Sequence, residues 1–136
     1  MRGGPGDERS PDPEVVELAT RIFDLARRGE TGALVEYVDA GVPADLTNDR
    51  GDSLVMLAAY HGHADAVRAL LARGGRADRV NDRGQTPLAG AVFKGEEGVV
   101  RVLLEGGADP AAGTPNAIDT ARMFGKTELL ELFAAR

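Results

Sequence analysis

Between Gly62 and Gly74 the apolar side chains Ala66, Val67, Leu70 and Leu71 fall at spacings of one, three and four, while Asp65, Arg68 and Arg73 interrupt them. At 3.6 residues per turn this spacing gathers the apolar positions on one face, which predicts an amphipathic helix. Just before it, the apolar run from Leu54 to Tyr60 is followed by His61-Gly62-His63, with a glycine where a helix would end in a left-handed turn. Gly74-Gly75 ends the second helix in turn. The unit therefore reads as helix, tight turn, helix and loop. The same polarity pattern returns 33 residues later: Leu70-Leu71 becomes Leu103-Leu104, Gly62 becomes Gly95, Gly74 becomes Gly107, and Gly29 precedes Gly62 by the same interval. A fixed period of this size predicts supersecondary units stacked around one continuous core.

The loops repeat even more closely than the helices. Asn48-Asp49-Arg50-Gly51 recurs unchanged as Asn81-Asp82-Arg83-Gly84. Asn and Asp bond their own backbone in tight turns and Gly supplies the permissive last position, so each tetrapeptide predicts a projecting turn. At the start, Asp12 suits a helix N-cap, Pro13 the first helical position and Glu14 the positive helix end. Val15, Leu18, Ile22 and Leu25 form the expected buried stripe of that helix, with Glu14, Glu17 and Arg21 facing water. At the other end Leu129, Leu130 and Phe133 are expected inward, and Glu128, Glu131 and Arg136 outward as a polar cap. Residues 1–11 lack apolar periodicity and are expected to be a disordered, dispensable tail.

These residues resemble the ankyrin repeat family. Gly84-Gln85-Thr86-Pro87-Leu88, Gly62-His63, Val67 with Leu70-Leu71, and Gly107-Ala108-Asp109 each match part of its pattern at the right spacing, and the resemblance covers about residues 14–136. It implies an all-α solenoid of helix-turn-helix units with projecting turns, used for protein recognition. The expected units are approximately 12–47, 48–80, 81–113 and 114–136. The chain departs from the pattern where Ser53-Leu54-Val55-Met56 replaces Thr-Pro-Leu-His and where Ala89 stands in place of histidine. A third departure is Pro110-Ala111-Ala112-Gly113-Thr114-Pro115, which shortens the last interval from 33 to 30 residues. The first helix of that last unit is expected to begin near Asn116, with Ile118 and Ala121 inward.

Composition narrows the chemistry. The chain has no cysteine, which excludes disulfides, thiolate metal sites and thiol nucleophiles. A formal charge of −6 opposes general phosphate-backbone binding, so nucleic acid is not an expected partner. The N-terminus has no apolar segment of the secretory kind and no run is long enough for a bilayer, so a cytoplasmic location without membrane contact is expected. Arginine outnumbers lysine, which occurs only at Lys94 and Lys126, as in proteins of GC-rich bacterial genomes. The sequence contains no phosphate-binding loop, dinucleotide fingerprint or nucleophile elbow, and its acidic residues form no pair tied to an apolar pocket. No catalytic, cofactor or metal residue is assigned. His61 and His63, the two histidines, have no cysteine or third histidine to complete a metal site, Asp65 being the nearest further ligand, and His63 occupies the family's Gly-His position.

The remaining candidate chemistry lies in columns across the units. Alignment on the inter-helix glycines places Arg27, Tyr60, Phe93 and Met123 in one column, and Arg28, His61, Lys94 and Phe124 in the next. In the ankyrin family the ends of the first helices and the projecting turns form the concave contact surface. The resemblance thus implies a partner-binding set of Asp49, Arg50, Asp52, Tyr60, His61, Asp82, Arg83, Gln85, Phe93 and Lys94. The expected function is noncovalent binding of a partner protein by a monomer. An accessory subunit that modulates an enzyme is the alternative, and a small-molecule or metal-binding protein a weaker one. Phe93 and Phe124 are equally compatible with packing between neighbouring helices. Bridging of the turns by Arg50 and Arg83 through Asp49 and Asp82 is the alternative for the arginines, but charged turn tips are usually solvated, so exposure is expected for both and for Tyr60.

Overall fold

The computed structural model describes residues 12–135, which form eight α-helices. They are α1 (Pro13–Arg28), α2 (Thr31–Asp39), α3 (Leu54–Tyr60), α4 (Ala64–Ala72), α5 (Pro87–Lys94), α6 (Glu97–Glu105), α7 (Ala117–Met123) and α8 (Thr127–Ala134). The expectations for residues 1–11 and for Arg136 lie outside the described residues. Consecutive helices pair as α1 with α2, α3 with α4, α5 with α6 and α7 with α8. Across units α1, α3, α5 and α7 form one layer, and α2, α4 and α6 the other.

Local chemistry starts each first helix. Asp12 accepts a bond from the Glu14 N–H at 2.8 Å. The Ser53 hydroxyl accepts from Met56 N–H at 3.0 Å, Thr86 from Ala89 N–H at 3.1 Å and the Asn116 side chain from Asp119 N–H at 2.7 Å. Each cap satisfies an N–H that the helix leaves open. The serine that departs from the family pattern thus performs the same task as the threonine 33 residues later.

The core runs through the stack without a break and includes Ile22, Leu34, Leu54, Val55, Leu70, Leu88, Val99, Val100 and Leu103. Two expectations require correction. Val15 is 58% exposed, and the buried face of α1 consists of Ile22, Phe23, Leu25 and Ala26, with Leu18 half-buried. At about 1.5 Å per residue, the 16-residue α1 overhangs the nine-residue α2 and the seven-residue α3, so its first turns have no helix among the described residues to pack against. Leu71, expected to match Leu104, is half-buried while Leu104 is buried. In the last unit Ala121, Leu129 and Phe133 are buried, and Ile118 and Leu130 are half-buried.

Polar stitches join successive units. Arg73 donates from Nε to Asp39 Oδ1 at 2.9 Å, and Arg76 donates its backbone N–H and Nε to the Asp45 carboxylate at 2.9 and 2.8 Å. One period later Asp78 accepts the Asp109 N–H at 3.0 Å. His63 Nε2 lies 2.8 Å from the Arg27 carbonyl oxygen. A carbonyl only accepts, so this nitrogen carries the proton. The ring rests on Gly29, whose φ of 70° is left-handed and whose missing Cβ leaves the space the imidazole fills.

Candidate functional site

The ends of the first helices and the projecting turns share one face. Tyr60 ends α3, Phe93 lies one residue before the end of α5, and Met123 ends α7. Their exposures are 37%, 57% and 73%, and that of neighbouring Phe124 is 45%. Helical spacing places them here: the core takes Ala58 from the face of α3 opposite Tyr60 and Leu88 and Ala91 from the face of α5 turned away from Phe93. The two expectations for the phenylalanines combine, because Phe93 and Phe124 meet edge to face at 5.6 Å while both remain exposed. The preceding pair of units makes the analogous contact differently. Lys94 Nζ lies 4.9 Å from the centre of the Tyr60 ring, a cation–π arrangement. His61 meets Tyr60 at 5.7 Å in an edge contact.

His61 is exposed, yet its pKa is lowered from the ordinary histidine value, first by desolvation and then by His63, Lys94 and Arg27. Partial burial and nearby positive charge both disfavour imidazolium. His63 spends Nε2 on the Arg27 carbonyl, and no group of three or more His, Asp or Glu residues suited to a metal occurs among the described residues.

The turn tips Asp49, Arg50, Asp82 and Arg83 are exposed and, with Asp52 and Asn81, line a depression of about 300 Å³. Arg50 and Arg83 have no ion-pair partner among the described residues, so the turns are not bridged through Asp49 and Asp82. The backbone joins them instead, Asp82 N–H donating to the Arg50 carbonyl at 3.0 Å. Asp52 and Gln85 are half-buried and accept from Asn81 Nδ2 at 2.9 and 3.0 Å. They therefore hold the turn in place.

A second depression, of 260 Å³, lies on the same face and is lined by Met56, Tyr60, Arg83, Ala89, Gly90 and Phe93, together with Gln85, Pro115 and Thr120. Of these, Met56, Ala89, Gly90, Pro115 and Thr120 were missed by the column alignment. The signal was present: Met56 and Ala89 stand four residues before Tyr60 and Phe93, one helical turn along the same face.

The ankyrin repeat pattern, in three copies, matches residues 22–114. The chain belongs to the ankyrin repeat family. It is 51% identical over 57 residues to an ankyrin repeat protein of Pseudomonas aeruginosa, a match covering 42% of this chain and 33% of that protein. It is 41% identical over 58 residues to human ankyrin repeat domain-containing protein 29, covering 42% of this chain and 19% of that one. The ankyrin repeat domain of human ASB11 superposes with a TM-score of 0.72 at 30% identity, over 84% of this chain and 52% of that one. The matches thus span a third or less of the two sequence relatives. Ankyrin repeats generally serve as protein-interaction modules, and the all-α repeat architecture read from the periodicity is the one observed. No helix among the described residues is long and apolar enough to cross a membrane.

Proposed function

We propose that this ankyrin repeat chain is a non-catalytic binding protein that engages a protein partner through the face made by its first-helix ends and turn tips. The observation that carries the reading is where the apolar exposure falls. Seven large apolar residues are exposed among the described ones; Val15 and Val16 lie in the first turns of α1, Val80 in a loop, and the other four are Tyr60, Phe93, Met123 and Phe124 on this one face. Clustered exposed apolar side chains mark interaction sites, whereas scattered ones do not. Aromatic anchors and arginines are also the residues that dominate binding energy at interfaces. The contact set is Asp49, Arg50, Tyr60, His61, Asp82, Arg83, Phe93 and Lys94, with Asp52 and Gln85 supporting the turns.

The test uses the full chain as bait in an extract of its host, with captured proteins identified by mass spectrometry. Replacing Arg50, Tyr60, Arg83 and Lys94 together by Ala should leave cooperative unfolding near wild type and abolish capture. The matched set Glu36→Ala, Arg68→Ala, Arg101→Ala and Glu105→Ala, exposed on α2, α4 and α6, should capture normally. The reverse result would move the working surface to the second helices.

A further inference from the structure

The 260 Å³ recess has a shape and a charge of its own. It exists because α5 carries two small residues, Ala89 and Gly90, where α3 carries Met56 and Leu57 one period earlier. A Cβ on Gly90 would sit 3.5 Å from Tyr60 Cδ1 and 3.7 Å from Met56 Sδ, in ordinary van der Waals contact, so the glycine keeps the floor of the recess one methyl group lower beside an aromatic ring and a thioether. A cavity of about 150 Å³ is enough to hold a benzene ring, and this recess is larger. Tyr60, Phe93 and Met56 supply the aromatic and sulfur surfaces against which another ring packs well.

Charge narrows the ligand further. Arg27, Arg28, Arg68, Arg73, Arg76 and Arg122 each have a carboxylate partner, whereas Arg21, Arg50, Arg79, Arg83, Lys94, Arg101 and Lys126 have none among the described residues; of these, Arg83 lines the recess and Lys94 is seated on the Tyr60 ring. Arg83 lines both depressions; the carboxylates of Asp49, Asp52 and Asp82 line the turn-tip one with it, and no carboxylate among the described residues lines the recess. Two unpaired cations beside one apolar hollow, on a chain of net charge −6, complement a ligand with an apolar centre and negative flanks. We propose that the recess takes one aromatic side chain from an acidic peptide segment of the partner, whose carboxylates sit against Arg83 and Lys94. This rests on the binding-face reading above and specifies the partner's chemistry.

The experiment titrates the full chain into a fluorescein-labelled synthetic peptide, Gly-Asp-Glu-Phe-Glu-Asp-Gly, and reads anisotropy. The expected result is affinity at least tenfold above that for the same peptide with Ala for Phe or with Lys for the acidic residues, weakening as salt screens the charges. Gly90→Leu fills the recess from a helical position, and Arg83→Ala removes the unpaired charge from an exposed turn tip. Each should weaken binding at least tenfold. Should Gly90→Leu melt early, Arg83→Ala carries the decision. No binding, equal binding of the three peptides, or indifference to both substitutions would overturn the assignment. A parallel selection of random twelve-residue peptides displayed on phage separates this from the broader reading. Binders that lack an acid-flanked aromatic but are lost on Arg50, Tyr60, Arg83 and Lys94 replacement would overturn only the recess. Binders insensitive to that replacement would overturn both.

Discussion

The turns Asn48–Gly51 and Asn81–Gly84 contain the same four residues and fold the same way, yet they sit in different surroundings. In each, the Asn side-chain oxygen accepts the N–H groups two and four residues on, at 2.9 and 3.0 Å. In each, the final glycine is left-handed, with φ of 76° and 79°. Asn48 is half-buried, whereas Asn81 is 7% exposed and also donates from Nδ2 to Asp52 and Gln85. The second turn is tied on both sides, through Asp82 N–H to the Arg50 carbonyl and through Thr114 N–H to the Gly84 carbonyl at 2.9 Å. Local side-chain chemistry sets the shape of the turn. Position in the stack sets what that shape is worth.

The largest effect that follows concerns leucines one period apart. Leu104 is buried at 6% exposure and Leu71 is only half-buried, although their sequence contexts match. Leu104→Ala should cost about 2–5 kcal/mol by lost transfer energy and cavity formation. Leu71→Ala should cost about 1–2 kcal/mol, because part of its surface is already in water. Urea titration of both variants measures the difference. Equal losses would mean that repeat position, rather than burial, governs their energetics.

The two asparagines come next. Asn48→Ala removes a cap on two backbone N–H groups near solvent and should cost about 1 kcal/mol. Asn81→Ala removes the same cap in a buried place and also leaves Asp52 and Gln85 without their shared donor. It should cost about 2–3 kcal/mol, since unpaired buried groups bear their full desolvation penalty. Similar melting temperatures for the two variants would break the comparison at its centre.

The architecture was legible because period, glycine spacing and capping residues all point the same way. Leu70, Leu103, Ser53 and Thr86 have the environments that their spacing implies. Val15 was misplaced because periodicity reports a helix's faces and says nothing about where its neighbours stop. Arg50 and Arg83 show the same limit: their exposure was readable from turn chemistry, while the backbone bond between the turns depends on how units are set against each other. The recess was harder still. It is made by side chains that are absent, at Ala89 and Gly90, and an alignment of conspicuous residues passes over them.

The junctions between units supply a third contrast. His63 bridges to the Arg27 carbonyl, but its equivalent one period on is Glu96, whose carboxylate lies over Gly62. An ionised carboxylate only accepts, so it makes no bond to the Tyr60 carbonyl that corresponds to Arg27. His63→Glu should therefore cost about 1 kcal/mol: the lost bond and an acceptor left facing an acceptor outweigh the negative charge gained at the start of α4. In Glu96→His the new bond is offset by the loss of negative charge at the start of α6, so the net change should stay within about 0.5 kcal/mol. Equal and opposite effects in the two variants would show that the junctions are interchangeable.

The smallest expected effect belongs to another equivalent pair, His61 and Lys94. Desolvation first, then His63, Lys94 and Arg27, lowers the folded-state pKa of His61, while the unfolded chain keeps the ordinary value of about 6.5. The unfolded state therefore binds the proton more readily. The stabilisation from neutral His61 is complete above that unfolded value and is lost as pH falls through it towards the lower folded value. Solvent exposure keeps the effect small. His61→Gln should remove it, so the melting-temperature difference between wild type and variant should shrink in favour of the variant as pH falls from about 8 to 5.5. Thermal melts at matched ionic strength isolate this contribution from that of the carboxylates, which the two proteins share. A difference that stays flat, or that moves to favour wild type at low pH, would show that His61 senses neither the charge of its neighbours nor its partial burial against Tyr60.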